Sequence, residues 1–420
     1  MSIIGRRPIR PAVAYLWFEG TWSLLHRVAF TLLLVYQVQT AHLSPFELIV
    51  VGTVMEATCF LAEVPTGIVA DLYSRRLSVL IGALVVGAGI LVQAAFPAFW
   101  PIVLGNVIWG VGWTFISGAM DAWITDEVGP DAVQPLFTRY EQQHLALTVV
   151  GVVVAGALGH VDLRLPMLVA GIGYLLLALV MSQLMPETNF TRTPHAGFAH
   201  MGQILREGLG AARRPGVVRS FLVIAVLTGL SSEVFDRLWA ARVLGSFRLP
   251  SLFGIRDPAL WFTVFALIST ALALIANLAA NRFAARRINA VHPAGLMAGL
   301  VLAQVAGYVG FALLGSLWPV LAAMWLRDAA RSIAAPISNA WLNRNVGSRA
   351  RATTLSLASQ ADAIGQVAGG PPLGLLATRT SIPVAMILAA LVFTPAAWVF
   401  ARLRPNPTEV AVHKPGVTPV

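Results

Sequence analysis

Ionisable side chains are scarce in this 420-residue chain, and several stand where charge is costly. Acidic and basic residues make up 11% of it and hydrophobic residues 57%. Glu19, His26 and Arg27 lie in the first long apolar run, Asp121 near the end of the fourth, and Glu233, Asp236 and Arg237 in the seventh. Arg327, Asp328 and Arg331 lie in the tenth run and Asp362 in the eleventh. An ionisable group at the centre of a bilayer costs at least about 2.5–3.5 kcal/mol on insertion scales, so each must face a partner or a wet cavity. One chemistry open to them is pairing. Glu233 and Arg237 are spaced i,i+4, Asp328 and Arg331 i,i+3, Arg27 and Glu56 sit at similar depth, and Asp362 is at a depth to meet Arg331. A second is proton exchange by a buried carboxylate, with Glu233 the first candidate and Glu19 and Asp362 in reserve. A third is solute binding, for which Trp22, Arg27, Trp113, Asp236, Arg237, Arg327, Asp328 and Arg331 are the cavity candidates. Aromatic surface suits a flat or cationic lipophile; packing and interfacial anchoring account for it equally well.

The elements that must position these groups are membrane-spanning helices. A soluble domain carries roughly a quarter charged residues, far more than this chain. A span needs about 20 mainly apolar residues, and Gly, Pro and Arg clusters divide the apolar sequence into twelve such runs. They are predicted at 12–40, 45–72, 77–97, 100–126, 138–160, 164–185, 217–245, 258–281, 291–314, 318–343, 353–377 and 382–402. The connections leave no room for a separate catalytic domain. Arg6, Arg7 and Arg10 before an apolar run imitate a signal peptide, but the run passes residue 30 and further spans follow, so it reads as an uncleaved first helix. A single cysteine, Cys59, excludes intrachain disulfides and Cys-based metal clusters.

The net charge of +10 reflects loop placement rather than nucleic-acid binding. Twenty basic residues fall in the termini and the even-to-odd loops, against Arg164, Arg248, Arg256 and Arg379 on the other side. Cytoplasmic loops carry the Lys/Arg excess, which predicts a cell-membrane protein with both termini in the cytoplasm. The chain also repeats itself. "DAWITDEVG" (Asp121 to Gly129) returns as "NAWLNRNVG" (Asn339 to Gly347), each ending the fourth span of a six-span half, and "GIVADLYSRR" (Gly67 to Arg76) has a degraded echo in "LAANRFAARR" (Leu278 to Arg287). An even number of spans gives both copies one orientation, the parallel-repeat architecture of some transporters.

The segment "EVPTGIVADLYSRR" (Glu63 to Arg76) resembles the signature between helices 2 and 3 of the major facilitator superfamily. Gly67, Asp71, Arg75 and Arg76 match it, and Ser74 stands where the pattern has a second Gly. Gly67 is read as permitting close helix approach. The resemblance implies an all-α integral membrane protein of 12 transmembrane helices in two parallel-repeat six-helix halves, residues 1–186 and 216–420. A cytoplasmic linker, 187–215, joins them and contains the basic amphipathic stretch Met201–Gly216, which reads as a surface-lying helix or a solvated linker. The resemblance also implies a conformational latch, in which the loop arginine pairs with an acid at the end of helix 4, Asp121 or Asp126 here. Helices 1, 4, 7 and 10 line the cavity in that family, and these spans hold most of the embedded charges. Two departures weigh against proton-driven drug antiport: Asn106 stands where drug antiporters often carry an Arg on helix 4, and the Gly-Pro run lies on helix 11 ("GQVAGGPPLG", Gly365 to Gly374) rather than helix 5.

The resulting expectation is a secondary active transporter working by alternating access, with proton-coupled efflux of a small amphipathic compound, a drug of the multidrug-resistance kind or a secondary metabolite. The alternative is a proton-coupled uptake permease for a small metabolite, with Arg327 and Arg331 favouring an anionic one. An enzyme and an ATP-driven pump are both disfavoured, since the sequence has no metal-ligand cluster, nucleophile elbow or phosphate-cradling loop. Expected partners are the solute, protons and the lipid bilayer, with no metal, cofactor or nucleic acid, and the expected state is a monomer.

Overall fold

A computed structural model of the chain describes residues 9–192, 206, 210, 216–251, 254, 256–279, 293–345 and 351–403. Their regular structure is helical, and it forms the twelve spans of the expected fold. Span 1 is Pro11–Phe30 continued by Leu33–Gln39, and spans 2 and 3 are Pro45–Leu72 and Arg75–Ala95. Span 4 is Phe99–Ile116 continued by Ala119–Val128; spans 5 and 6 are Pro130–Val161 and Leu165–Leu184. Spans 7 to 11 are Val217–Ser246, Pro258–Ala279, Ala294–Leu313, Leu317–Asn345 and Arg351–Arg379, and span 12 is Ile382–Phe393 with Pro395–Arg402. Nine helices among the described residues are long and apolar enough to cross a membrane. Spans 1, 10 and 11 fall outside that group, and they are the ones interrupted by Glu19, His26 and Arg27, by Arg327, Asp328 and Arg331, and by Asp362.

Local chemistry explains the ends and breaks. Ser44 caps span 2 in a reciprocal pair with Glu47, and Pro45 stands in the first turn. Ser74 caps span 3, its hydroxyl accepting from the Leu77 amide at 2.9 Å. Span 1 breaks after Thr31, whose hydroxyl bonds back to the Arg27 carbonyl at 2.6 Å. Span 4 breaks at Gly118, whose φ of 78° suits glycine. Span 5 begins eight residues earlier than predicted, because Pro130 is a helix opener at the first turn and Pro135 is carried inside the helix.

By internal contacts the chain divides into two compact units, Met1–Gln203 with Val243–Leu267, and Ile204–Arg242 with Ile268–Val420. In the first, spans 3 and 4 meet backbone to backbone at Gly89 and Gly105, spans 3 and 6 at Gly87 and Gly171, and Gly151 of span 5 against Leu24 and Arg27 of span 1. Small residues permit such approach in a bundle that gains little from the hydrophobic effect. In the second, Gly229 of span 7 meets Asp362 and Gly365 of span 11, and Gly307 of span 9 meets Arg327 of span 10. The internal repeat is visible in matched packing. Trp123 is buried and donates to the Pro186 carbonyl, just past span 6, at 2.8 Å. Trp341, its counterpart, is buried against Phe400 of span 12 and edge-on to Phe221. Most of the Met201–Gly216 stretch, most of the Leu278–Arg287 echo, and Arg6, Arg7 and Lys414 lie outside the described residues.

Candidate functional site

In the second unit, spans 7 and 10 gather their charges around one guanidinium. Arg327 is 4% exposed, and a charge so placed depends on its partners; its two terminal nitrogens find them, while its Nε has no hydrogen-bond partner among the described residues. Its Nη2 donates to Asp236 at 2.8 Å and to the Tyr308 hydroxyl at 3.3 Å, and its Nη1 to Asp328 at 3.0 Å. The Cζ atom lies 4.2 Å from the centre of the Phe235 ring and 5.1 Å from that of Tyr308, a cation–π seat from span 9 and span 7. Asp236 also accepts from Arg331 at 3.0 Å. One turn before Arg237, Glu233 is 2% exposed and accepts from Arg237 Nε at 3.0 Å, the pairing its spacing predicts. Two expected pairs are different. Asp328 is bound by its neighbour Arg327, and Arg331 turns to Asp236 on span 7, because the paired carboxylate of Asp236 can bridge two guanidiniums. Asp362 therefore has no ion pair among the described residues; it accepts from Gln366 on its own helix at 2.8 Å.

In the first unit, the loop signature closes on itself. Arg75 pairs with Asp126 at 2.5 Å and donates to the Ala122 carbonyl at 2.8 Å, so the end of span 4 is tied to the start of span 3. Asp71, one turn before Arg75, stands farther off at 3.8 Å, and of the two candidate acids Asp126 rather than Asp121 meets Arg75. Arg76 donates to the Ser182 carbonyl at 2.5 Å, and its backbone amide donates to Glu187 at 2.9 Å. The Ser74 hydroxyl donates to the same carboxylate at 2.6 Å. Gly67 is corrected by this geometry: a Cβ there would meet nothing within 4 Å, so no close approach is made at it. Glu187 and Ser74 escaped the sequence reading, although a Ser directly before a helical Arg-Arg is a capping signal. The second Gly of the family pattern is replaced by a residue that both caps a helix and holds the end of span 6.

Spans 1 and 5 meet at a polar cluster. The Ser23 hydroxyl is 2.9 Å from His144 Nδ1 and 3.4 Å from the Tyr140 hydroxyl. Glu19 lies one turn away on span 1. Arg27, one turn the other way, is exposed and forms no ion pair among the described residues, so its expected buried pairing with Glu56 is not made. A wall of rings runs beside this cluster on spans 1 and 4. Trp22 packs on Trp113 at 6.1 Å, Trp113 lies parallel to Trp109 at 5.9 Å and 3°, Trp109 meets Phe30 edge-on at 5.5 Å, and Phe30 stacks on His26 at 4.4 Å. Trp109 Nε1 and His26 Nδ1 are buried without a hydrogen-bond partner among the described residues, a state that costs about 1–3 kcal/mol per group. Asn106, at i,i+3 and i,i+7 spacing from Trp109 and Trp113 on the same helix, donates to Gln93 of span 3 at 2.9 Å, so a neutral packing contact stands at the position of the missing helix-4 Arg.

Comparison with known proteins agrees with this architecture. The model of the Major Facilitator Superfamily matches residues 20–253. The chain is 21% identical over 375 residues to the uncharacterized MFS-type transporter YxaM of Bacillus subtilis (strain 168), covering 86% of this chain and 89% of that one. Among solved structures, it is similar to the nucleoside transporter NupG (TM-score 0.74, 13% identity, 94% of this chain and 99% of that chain). It is also similar to a bacterial homolog of the human lysosomal transporter Spinster in an inward-facing, occupied conformation (TM-score 0.71, 15% identity, 96% and 100%). A POT family transporter in complex with 5-aminolevulinic acid gives a TM-score of 0.70 at 14% identity over 95% and 96%. At these identities the structural likenesses establish the fold.

Proposed function

The chain belongs to the Major Facilitator Superfamily, and from that premise we propose that it is a proton-coupled exporter of a small amphipathic compound, with Asp362 as the carboxylate that takes up and releases the proton. The observation that carries this reading is a charge imbalance. In the middle of spans 7, 10 and 11, three guanidiniums, Arg237, Arg327 and Arg331, face four carboxylates, Glu233, Asp236, Asp328 and Asp362. The first three acids take all three cations. Asp362 has only the Gln366 amide, with Arg331, Asp236 and Glu233 acting on it from neighbouring spans. A carboxylate without a counter-ion is the member of such a set whose charge is least expensive to remove. Glu233 becomes a structural partner of Arg237, and Glu19, which has no ion pair among the described residues, stays as the second proton candidate.

The remaining parts of the reading are a latch made by Arg75 and Asp126 that biases the alternating-access equilibrium, two six-helix halves joined by the 187–215 linker, both termini in the cytoplasm, and a monomer in the cell membrane. Export is favoured by the aromatic wall of spans 1 and 4. Uptake of an anionic metabolite is the second reading, favoured by the half-exposed Arg331 beside Asp236. Everted membrane vesicles holding a pH gradient test the proposal. A transported compound from a screening panel partly collapses the gradient in wild type. The Asp362→Asn variant should leave the gradient intact with the same compound. An undiminished collapse by Asp362→Asn refutes the assignment of the proton to Asp362.

A further inference from the structure

The wall on spans 1 and 4 has more shape than packing alone requires. Span 4 spends two of its sides on helix contacts. Gly105 and Gly112 press on span 3, and Gly110 presses on Thr58 and Cys59 of span 2. Trp109 and Trp113, one turn apart, lie on the strip between these two contacts, with their rings toward Trp22 and Phe30 of span 1. Trp22 and Trp109 are buried, whereas Trp113 is 36% exposed. The two parallel rings of Trp109 and Trp113, with centres 5.9 Å apart, are offset, as stacked indoles prefer. Trp109 offers an indole N–H that no protein atom among the described residues accepts, and His26 adds a ring nitrogen in the same condition at the far side of Phe30. Exposed stacking area on Trp113, with unanswered hydrogen-bonding atoms enclosed beside it, fits one kind of molecule.

We infer that this wall is the binding face for a flat heteroaromatic solute, whose ring stacks on Trp113 and whose edge acceptor takes the Trp109 Nε1–H. An aliphatic amphiphile would gain nothing from the parallel ring, and a plain hydrocarbon nothing from the indole N–H. Arg27, exposed beside His26, disfavours a cationic ring at that end and favours a neutral or weakly acidic one. The inference rests on the reading of the chain as a small-solute transporter and narrows its substrate class.

Equilibrium dialysis of the full-length chain in nanodiscs, against protein-free nanodiscs, tests it without a pH gradient. The probes are acridine, which has a ring acceptor, anthracene, which lacks one, and perhydroanthracene, which is not aromatic. Wild type should retain acridine at least fivefold better than anthracene and should not retain perhydroanthracene above the blank. Trp113→Leu should weaken acridine retention at least tenfold, and Trp113→Phe, which preserves an aromatic face if the leucine variant fails to fold, by two- to fivefold. Trp109→Phe should reduce acridine to the level of anthracene, and Trp100→Leu, altering an exposed tryptophan at the start of span 4 outside the wall, should change nothing. Equal retention of all three probes, no retention by wild type, or wild-type binding by both Trp113 variants overturns the inference. Asp362→Asn should keep acridine binding intact, so failure of the proton assignment and failure of this site give different results.

Discussion

Gly229 of span 7 lies so close to the backbone carbonyl of Asp362 in span 11 that a side chain on it has no room. The contact is to backbone, which cannot rotate away, and Gly365 repeats it from the other side, against the Val226 carbonyl. Gly229→Ala should therefore lower stability by about 1–3 kcal/mol, the usual cost of overpacking. Thermal unfolding in detergent measures it, with Gly245→Ala as the comparison, since a Cβ at Gly245 meets nothing within 4 Å. Equal melting temperatures for the two variants would show that spans 7 and 11 part easily.

Glu233 and Asp362 should separate into a structural and a coupling role. Removing one partner of a buried pair leaves the other charge uncompensated, at about 3–5 kcal/mol. Glu233→Gln should thus melt early and be partly rescued by Arg237→Gln, which removes the other member of the pair. Asp362→Asn should melt like wild type but lose response to a pH gradient. The reverse pattern, a stable Glu233→Gln with coupling abolished, would return the proton to Glu233.

Around Arg75, distance ranks the two acids. Asp126→Asn should impair turnover severalfold, whereas Asp71→Asn, which removes a 3.8 Å contact on a half-exposed carboxylate, should have a smaller effect. Surface pairs contribute about 0–1 kcal/mol, so protein levels in the membrane should hold in both. The exchange Arg75→Asp with Asp126→Arg should recover part of the activity. Initial rates in vesicles decide; identical rates for wild type and Asp126→Asn would reduce the signature to an anchor.

Glu187 should matter as much as the signature residues it binds. Glu187→Gln keeps one acceptor for Ser74 or the Arg76 amide but loses the charge that both share, and Glu187→Ala loses both. A graded loss of turnover, Ala worse than Gln, is expected. No loss in either variant would leave the tie between spans 3 and 6 without a role.

At the other end of span 5, a 32-residue helix about 48 Å long, His160 contacts Asp257 before span 8. Cysteines at both positions in a Cys59→Ala background should cross-link on oxidation. The cross-link should stop transport, and a thiol reductant should restore it. Full activity in the cross-linked protein would mean that spans 5 and 8 stay joined throughout the cycle.

Much of this was legible from the chain itself. Span number, their ends to within a few residues except at the start of span 5, the repeat and the Glu233–Arg237 pair follow from apolar runs, punctuation and i,i+4 spacing. What sequence cannot give is rotation about a helix axis relative to a neighbour. Asn106 and Trp109 are neighbours at i,i+3 on one helix, yet Asn106 reaches Gln93 of span 3 and Trp109 meets Phe30 of span 1. Arg331 is three residues from Asp328 yet binds Asp236 on another span. Gly67 fits a motif and touches nothing in this conformation, because the motif records a residue type and not the state in which it is used. The early start of span 5 was hidden by Pro130 and Pro135, which read as loop although the first opens the helix.

The three spans that lack the apolar character of the other nine pose a problem of biosynthesis. A translocating segment is released into lipid according to its own partition energy, and a central Arg or Asp opposes that release by several kcal/mol. Spans 10 and 11 are consecutive, so the ribosome delivers two reluctant segments in succession. Arg327 and Arg331 find their counter-charge only on span 7, made about 90 residues earlier by the order of the chain. Asp236 of span 7 therefore lacks both of its arginine partners until span 10 has been made, and the ion-pair network closes only after the tenth segment joins the seventh.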